Sequence, residues 1–259
     1  MPQRNVQKEL VDAAYTGDLA KLLSSLADGA DPKSRESEAL MTAANKGSSE
    51  CVKALLPLSD PKAANCWALG AAAGNGHAEC VRLLLPVSDA KARDSYALKV
   101  AAEKGHVECV RLLLPVSDAK AWDSQALRST AYNGHVDCLR LLLPVSDQNA
   151  KRSEALRAAA WNGHAACVDL LLGGAGPFFD LHDILRCALN MGRAEVVVAM
   201  VGHRPDLVDV SDLRKRRAEA IKNESNEQLV AALTSIIEKQ ELANMVSESE
   251  ARKAGPARL

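Results

Sequence analysis

Apolar residues along this chain fall into paired short blocks separated by polar punctuation. In the stretch from Asp94 to Pro115 the first block is Tyr96-Ala97-Leu98-Lys99-Val100-Ala101-Ala102, and the second holds Cys109, Val110, Leu112, Leu113 and Leu114. The second block has the apolar recurrence of an amphipathic helix, and nothing in either alternates like a strand. Asp94 and Ser95 are good N-cap residues for a first helix, whose alanine-rich face can approach a neighbour closely. Gly105 ends that helix and His106 starts the second. Pro115 is expected to stop the second, because the residue before a proline is pushed out of helical geometry. Val116-Ser117-Asp118-Ala119-Lys120 then serves as a connector.

The unit recurs at a fixed stride. Gly47, Gly76, Gly105, Gly134, Gly163 and Gly192 are each 29 residues apart, and Gly17 lies one residue out of step. Periods of this size signal stacked supersecondary units, because a lone helix pair cannot bury its own apolar face. Seven helix pairs are therefore predicted, one around each glycine. From Asp212 to Lys239 the pattern still reads as two helices, with Glu224 at the turn glycine's place and Arg214-Lys215-Arg216-Arg217 opening the first. This predicts a polar C-terminal cap over 209–240, closing a solenoid that spans 1–240. Residues 241–259 carry too little apolar surface to fold alone and are expected to form a flexible tail. The run Gly173 to Phe179 replaces the usual connector and is expected to bend the stack.

The order Ala-Ala, two variable residues, Gly-His, an acid, an apolar pair and Leu-Leu-Leu resembles the ankyrin repeat, over roughly residues 6 to 204. The resemblance implies an all-α, ankyrin-like helical-repeat solenoid. Two departures stand out. The family's Thr-Pro-Leu-His start is replaced by Ser-Tyr-Ala-Leu at Ser95 or Ser-Gln-Ala-Leu at Ser124, and the stride is 29, where the family has 33. The missing residues come from the connector that forms the projecting hairpin in ankyrins, so the fingers are expected to be short or absent.

Composition narrows the function. The chain is 47% hydrophobic but 3% aromatic, so its core must be built from Ala, Leu, Val and Cys. A formal net charge of −1 argues against a general nucleic-acid binder, which needs a basic excess to release counterions from phosphates. With no run of about 18 apolar residues and a polar helix-forming start at Gln7-Lys8-Glu9, neither a membrane span nor a signal peptide is expected. The expected location is the cytosol, or a host cytosol if the chain is a secreted effector.

Residues that could carry chemistry mostly have structural explanations. Cys51, Cys80, Cys109, Cys138 and Cys167 repeat one per layer. Packed helices lie about 8–10 Å apart, beyond the Cα separation of roughly 7 Å at which a disulfide can close. There is also no Cys-x-x-Cys pair, so no metal site and no cofactor are expected. Cys66 and Cys187 stand alone and are uninformative. His77, His106, His135 and His164 form a second ladder, placed to hydrogen-bond neighbouring backbone. A catalytic centre would need a base, a nucleophile and an orienting group at one locus, which the repeat does not offer, so no enzyme is expected. The Ser-Asp pairs at Ser88, Ser117 and Ser146 suit turns that bond their own backbone. Glu79 with Arg82, Glu108 with Arg111 and Asp137 with Arg140 are i, i+3 pairs of a solvated face, each contributing about 0.2–0.5 kcal/mol.

The informative positions are those that vary between otherwise near-identical copies. Every Trp and Tyr lies among them: Trp67 and Tyr96 share one slot with Trp122 near it, and Tyr15, Tyr132 and Trp161 share another. The resemblance places these slots on or near a concave groove of first helices and connectors, where aromatics serve as binding anchors. Lys99, Arg128 and Arg157 occupy one first-helix slot in consecutive repeats, with Arg93, Lys104, Lys151 and Arg152 nearby, a stripe suited to an acidic partner segment. The expected function is thus non-catalytic protein binding by a monomer, as used by bacterial scaffolds, effectors and immunity proteins. The alternative is a nucleic-acid or nucleotide binder, with Trp122, Tyr132 and Trp161 stacking bases and Lys99, Arg128 and Arg157 meeting phosphates. Two further readings are an enzyme site within 173–259 and self-association through Phe178 and Phe179.

Overall fold

A computed structural model describes residues 5–146, 150–173, 181–222 and 226–254. Among these the regular structure is entirely helical, with sixteen α-helices and one 3₁₀ turn. The chain divides into two compact units, 1–151 and 152–259.

The first unit holds five helix pairs: α1 (Val6–Thr16) with α2 (Leu19–Ala27), α3 (Ser34–Lys46) with α4 (Ser49–Leu55), α5 (Ala63–Gly74) with α6 (Ala78–Leu84), α7 (Ala92–Glu103) with α8 (Val107–Leu113), and α9 (Ala121–Asn133) with α10 (Val136–Leu142). First helices pack on first helices, α1 on α3 and so on to α9, and second helices likewise, α2 on α4 through to α10. The shared core is one Leu and two or three Ala from each first helix, such as Leu98, Ala97, Ala101 and Ala102, against a Cys, a Val or Leu, and a Leu from α4, α6, α8 and α10, such as Cys109, Val110 and Leu113, with Leu22 and Ser25 in their place on α2. Small side chains make this spacing possible, as the aromatic-poor composition requires.

The second unit contains α11 (Ala150–Asn162), α12 (Ala165–Leu172), α13 (Leu181–Asn190), α14 (Ala194–His203), the turn Pro205–Leu207, α15 (Val210–Lys222) and α16 (Glu227–Ala254). Here α12 packs on α14, α14 on α16, and α15 on α16, burying Leu213, Leu233 and Ile237. α16 continues through 241–254, so that part of the expected tail has helical backbone; 255–259 lie outside the described residues. Glu224, Phe178 and Phe179 also lie outside them.

Two local expectations are corrected. Asp94 and Ser95 do not cap α7 from an extended conformation: Arg93, Asp94 and Ser95 have φ of 51°, 53° and 61°, a single left-handed turn that precedes the right-handed helix. The same turn occurs at Arg35, Glu36 and Ser37 and at Ala64, Asn65 and Cys66. Left-handed geometry costs roughly 1–2 kcal/mol per non-glycine residue, so something must offset it. The third residue of each turn supplies part of the answer. Ser37 Oγ, Cys66 Sγ and Ser95 Oγ are buried and accept the backbone N–H of Asp60, Asp89 and Asp118 in the next connector, at 2.9, 3.2 and 2.7 Å. Cys66 is therefore a linking residue of the stack, which its isolation in the sequence concealed.

The second correction concerns Pro115. Leu114, before it, remains right-handed helical at φ −55°, ψ −42°. The helix ends because proline has no N–H to continue the ladder, and Val116 and Ser117 fold their N–H groups back onto the Leu113 carbonyl.

Candidate functional site

The turn glycines fix how one repeat meets the next. Gly47, Gly76 and Gly105 have φ near +77°, and a Cβ on any of them would stand 2.4–2.6 Å from Nδ1 of the histidine one repeat on. His77, His106 and His135 thus lie flat against the preceding turn. Their Nε2–H groups donate to the carbonyls of Asn45, Gly74 and Glu103 at 3.1, 3.2 and 3.1 Å. Each imidazole satisfies a carbonyl that a helix end leaves open. Arg193 does the same for the Trp161 carbonyl in the second unit, and Asn226 for that of Gly192. The histidines bond backbone as expected, but the backbone of the previous repeat, which makes them inter-repeat clamps.

The Ser-Asp connectors divide their labour. Asp60, Asp89 and Asp118 each accept the N–H two residues on at 2.9 Å, the local turn expected of them. Ser59, Ser88 and Ser117 donate backwards to the carbonyls of Pro32, Pro61 and Ala90, so they join layers and do not close their own turn. The second-helix face carries Arg82 with Glu79, Arg111 with Glu108, and a cross-repeat pair of Arg82 with Glu108, all exposed.

The cysteine ladder is buried. Burial pushes the Cys80, Cys109, Cys138 and Cys167 thiols up to about 11 and raises that of Cys51 as well, so they are protonated and unreactive at neutral pH. Among the described residues no group of three or more His, Cys, Asp or Glu could hold a metal ion, and no helix is long and apolar enough to cross a membrane.

The varying residues lie on the first helices. Tyr15, Trp67, Tyr132 and Trp161 are 57%, 41%, 56% and 55% exposed, on α1, α5, α9 and α11. Trp67 and Tyr96 stack on each other across α5 and α7, ring centroids 6.3 Å apart and planes 18° apart. The Arg93 guanidinium lies 4.5 Å from the Tyr96 centroid and 5.7 Å from that of Trp67, and Lys46 Nζ sits 4.0 Å over Tyr15. The side chains of Trp122, Lys151 and Arg152 lie outside the described residues. In the basic slot Lys99 and Arg128 are half-buried and Arg157 is exposed. Arg128, Tyr132 and Arg157 already engage other groups of the chain.

Sequence reasoning missed a hollow beside the Trp67–Tyr96 stack. Its volume is about 210 Å³, and Gly70, Ala71 and Gly74 of α5 form its floor. The glycines allow a close approach of α7: a Cβ on Gly70 would come 3.0 Å from Tyr96 Cδ1, and one on Gly74 would come 3.2 Å from Val100 Cγ2. A glycine inside a helix costs about 0.8–1.0 kcal/mol against alanine, so two in one short helix were the available signal.

Helix pairs stacked layer on layer, with left-handed glycine turns clamped by the following repeat and an exposed first-helix face, define a helical-repeat protein. The family model for three ankyrin repeats matches residues 10–94, 40–123 and 98–183, and the chain belongs to the ankyrin repeat family. Among solved structures it is similar to the human ASB11 ankyrin repeat domain, with a TM-score of 0.64 and 23% identity over 75% of this chain and 97% of that one. No curated relative matches. Ankyrin repeats in general mediate protein–protein interaction and are non-catalytic.

Proposed function

We propose that this chain is a non-catalytic scaffold that binds a partner protein through exposed residues of its first helices. The observation that carries this reading is the placement of its aromatics. All three Trp and all three Tyr lie on first helices, in a chain with only two other aromatic residues. Of the five whose side chains are described, four are substantially exposed, and large exposed aromatics are the residue types that dominate interface energetics. A pre-formed stack loses little conformational freedom on binding, which favours affinity. The basic residues Lys99, Arg128 and Arg157 on the same helices suit a partner segment with acidic residues.

The test compares capture from lysate by the intact chain and by a Tyr15→Ala/Tyr132→Ala/Trp161→Ala variant, followed by direct binding measurements with the purified captured protein. Loss of a protein partner in the variant, with folding unchanged by circular dichroism, supports the reading. Equal capture by both overturns it. A loss of affinity of about a thousandfold between 50 and 200 mM salt would point to phosphate contacts and a nucleic-acid ligand.

A further inference from the structure

We propose that the hollow beside Trp67 and Tyr96 is a socket for one apolar side chain of an extended protein segment that carries a carboxylate within two residues of it. This rests on the protein-binding reading and specifies the partner's chemistry at one point of the face.

Size is the first argument. Small-molecule pockets run to about 300–1,000 Å³, whereas this one holds about 210 Å³, room for a side chain more than for a whole ligand. It is lined by Gly70, Ala71 and Gly74, which present at most a methyl group, and by Trp67, Tyr96 and Val100, the last two packed against Gly70 and Gly74. The two rings already stack on each other, with Arg93 over Tyr96, which takes up ring faces that a nucleobase would use. What remains open is an apolar notch at the edge of the stack.

The rim supplies the rest of the specificity. Asn75 Nδ2 donates to Asn45 Oδ1 at 2.7 Å, leaving a donor on Asn45 and an acceptor on Asn75, the complement of a single peptide unit. Lys104 is the lone charged residue of the lining, which contains no carboxylate, and among the described residues its ammonium pairs with no acid. An acidic residue next to the docked side chain would be its natural partner, whereas a lysine there would meet like charge.

The test titrates the ¹⁵N-labelled full chain with three capped tetrapeptides, acetyl-Gly-Leu-Asp-Gly-amide, acetyl-Gly-Leu-Lys-Gly-amide and acetyl-Gly-Gly-Asp-Gly-amide. The expected result is shifts at the Gly70, Ala71 and Gly74 amides and the Trp67 indole with the Leu-Asp peptide, binding weaker by about two- to fivefold with Leu-Lys, and none with Gly-Asp. Ala71→Leu fills the notch and abolishes the shifts, and Lys104→Glu, a surface change that leaves the core intact, reverses the order of Asp and Lys. Failure of the Leu-Asp peptide to shift these residues, or a charge order that Lys104→Glu leaves unaltered, overturns the socket. If it fails while Tyr15→Ala/Tyr132→Ala/Trp161→Ala still loses the captured partner, the wider binding face survives without it. If that partner is retained as well, both readings fall.

Discussion

His106 clamps Gly76 of the repeat before it: Nδ1 of the ring would stand 2.6 Å from a Cβ on that glycine, and Nε2–H donates to the carbonyl of Gly74, the last residue of α5. One residue type thus closes a helix end, occupies the space that glycine leaves vacant, and ties two layers together. The pairing repeats at Gly47 with His77 and Gly105 with His135, so it is a joint of the stack more than a feature of one repeat.

Gly76→Ala should therefore destabilise by more than the left-handed penalty of roughly 1–2 kcal/mol, because the new methyl also displaces His106. His106→Ala alone should cost about 1 kcal/mol for the lost hydrogen bond. In the double variant the steric part vanishes, so urea unfolding should show the pair costing less than the sum of the singles. Strict additivity would mean that the ring does not sit against the glycine.

Ser95→Ala strands the Asp118 N–H beside a buried site, and equilibrium unfolding should show a loss of about 1–3 kcal/mol. Cys66→Ser places a better acceptor in the same slot and should be neutral or stabilising, whereas Cys66→Val should destabilise by leaving the Asp89 N–H unpaired. If valine were tolerated as well as serine, the slot would be only a packing position.

The buried thiols make stability fall in alkali. Their folded pKa of about 11 lies above the ordinary value of 9.0, so below pH 8 both folded and unfolded states hold the proton and the stability is intact. As pH rises past 9 the unfolded thiols ionise while the folded ones do not, and the unfolded state, binding fewer protons, gains. Melting temperature should drop progressively between about pH 9 and pH 11, and less steeply in Cys109→Ala/Cys138→Ala, referred to its own value at pH 7.

Tyr15→Ala and Trp161→Ala remove exposed side chains and should each change stability by no more than about 0.5 kcal/mol. A loss above about 2 kcal/mol in chemical denaturation would show that these rings are structural and not anchors.

Much of the fold was legible in the chain itself. The 29-residue glycine stride, the alanine-rich and leucine-rich blocks and the missing connector residues identify stacked helix pairs, because helix periodicity and turn chemistry are local properties. The buried cysteines could be read as core residues for the same reason. What the tertiary structure decided is everything that one repeat does to the next. The left-handed turns at Arg93, Asp94 and Ser95 run against local preference and coincide with an acceptor for Asp118 in the following connector. Likewise the Trp67–Tyr96 stack joins residues 29 apart in sequence, and Tyr96 and Val100 pack onto two glycines whose local effect is only to weaken a helix. Local sequence specifies the repeat, but strain, clamps and cavities belong to the interface between repeats, where a residue's energy depends on neighbours that periodicity does not name.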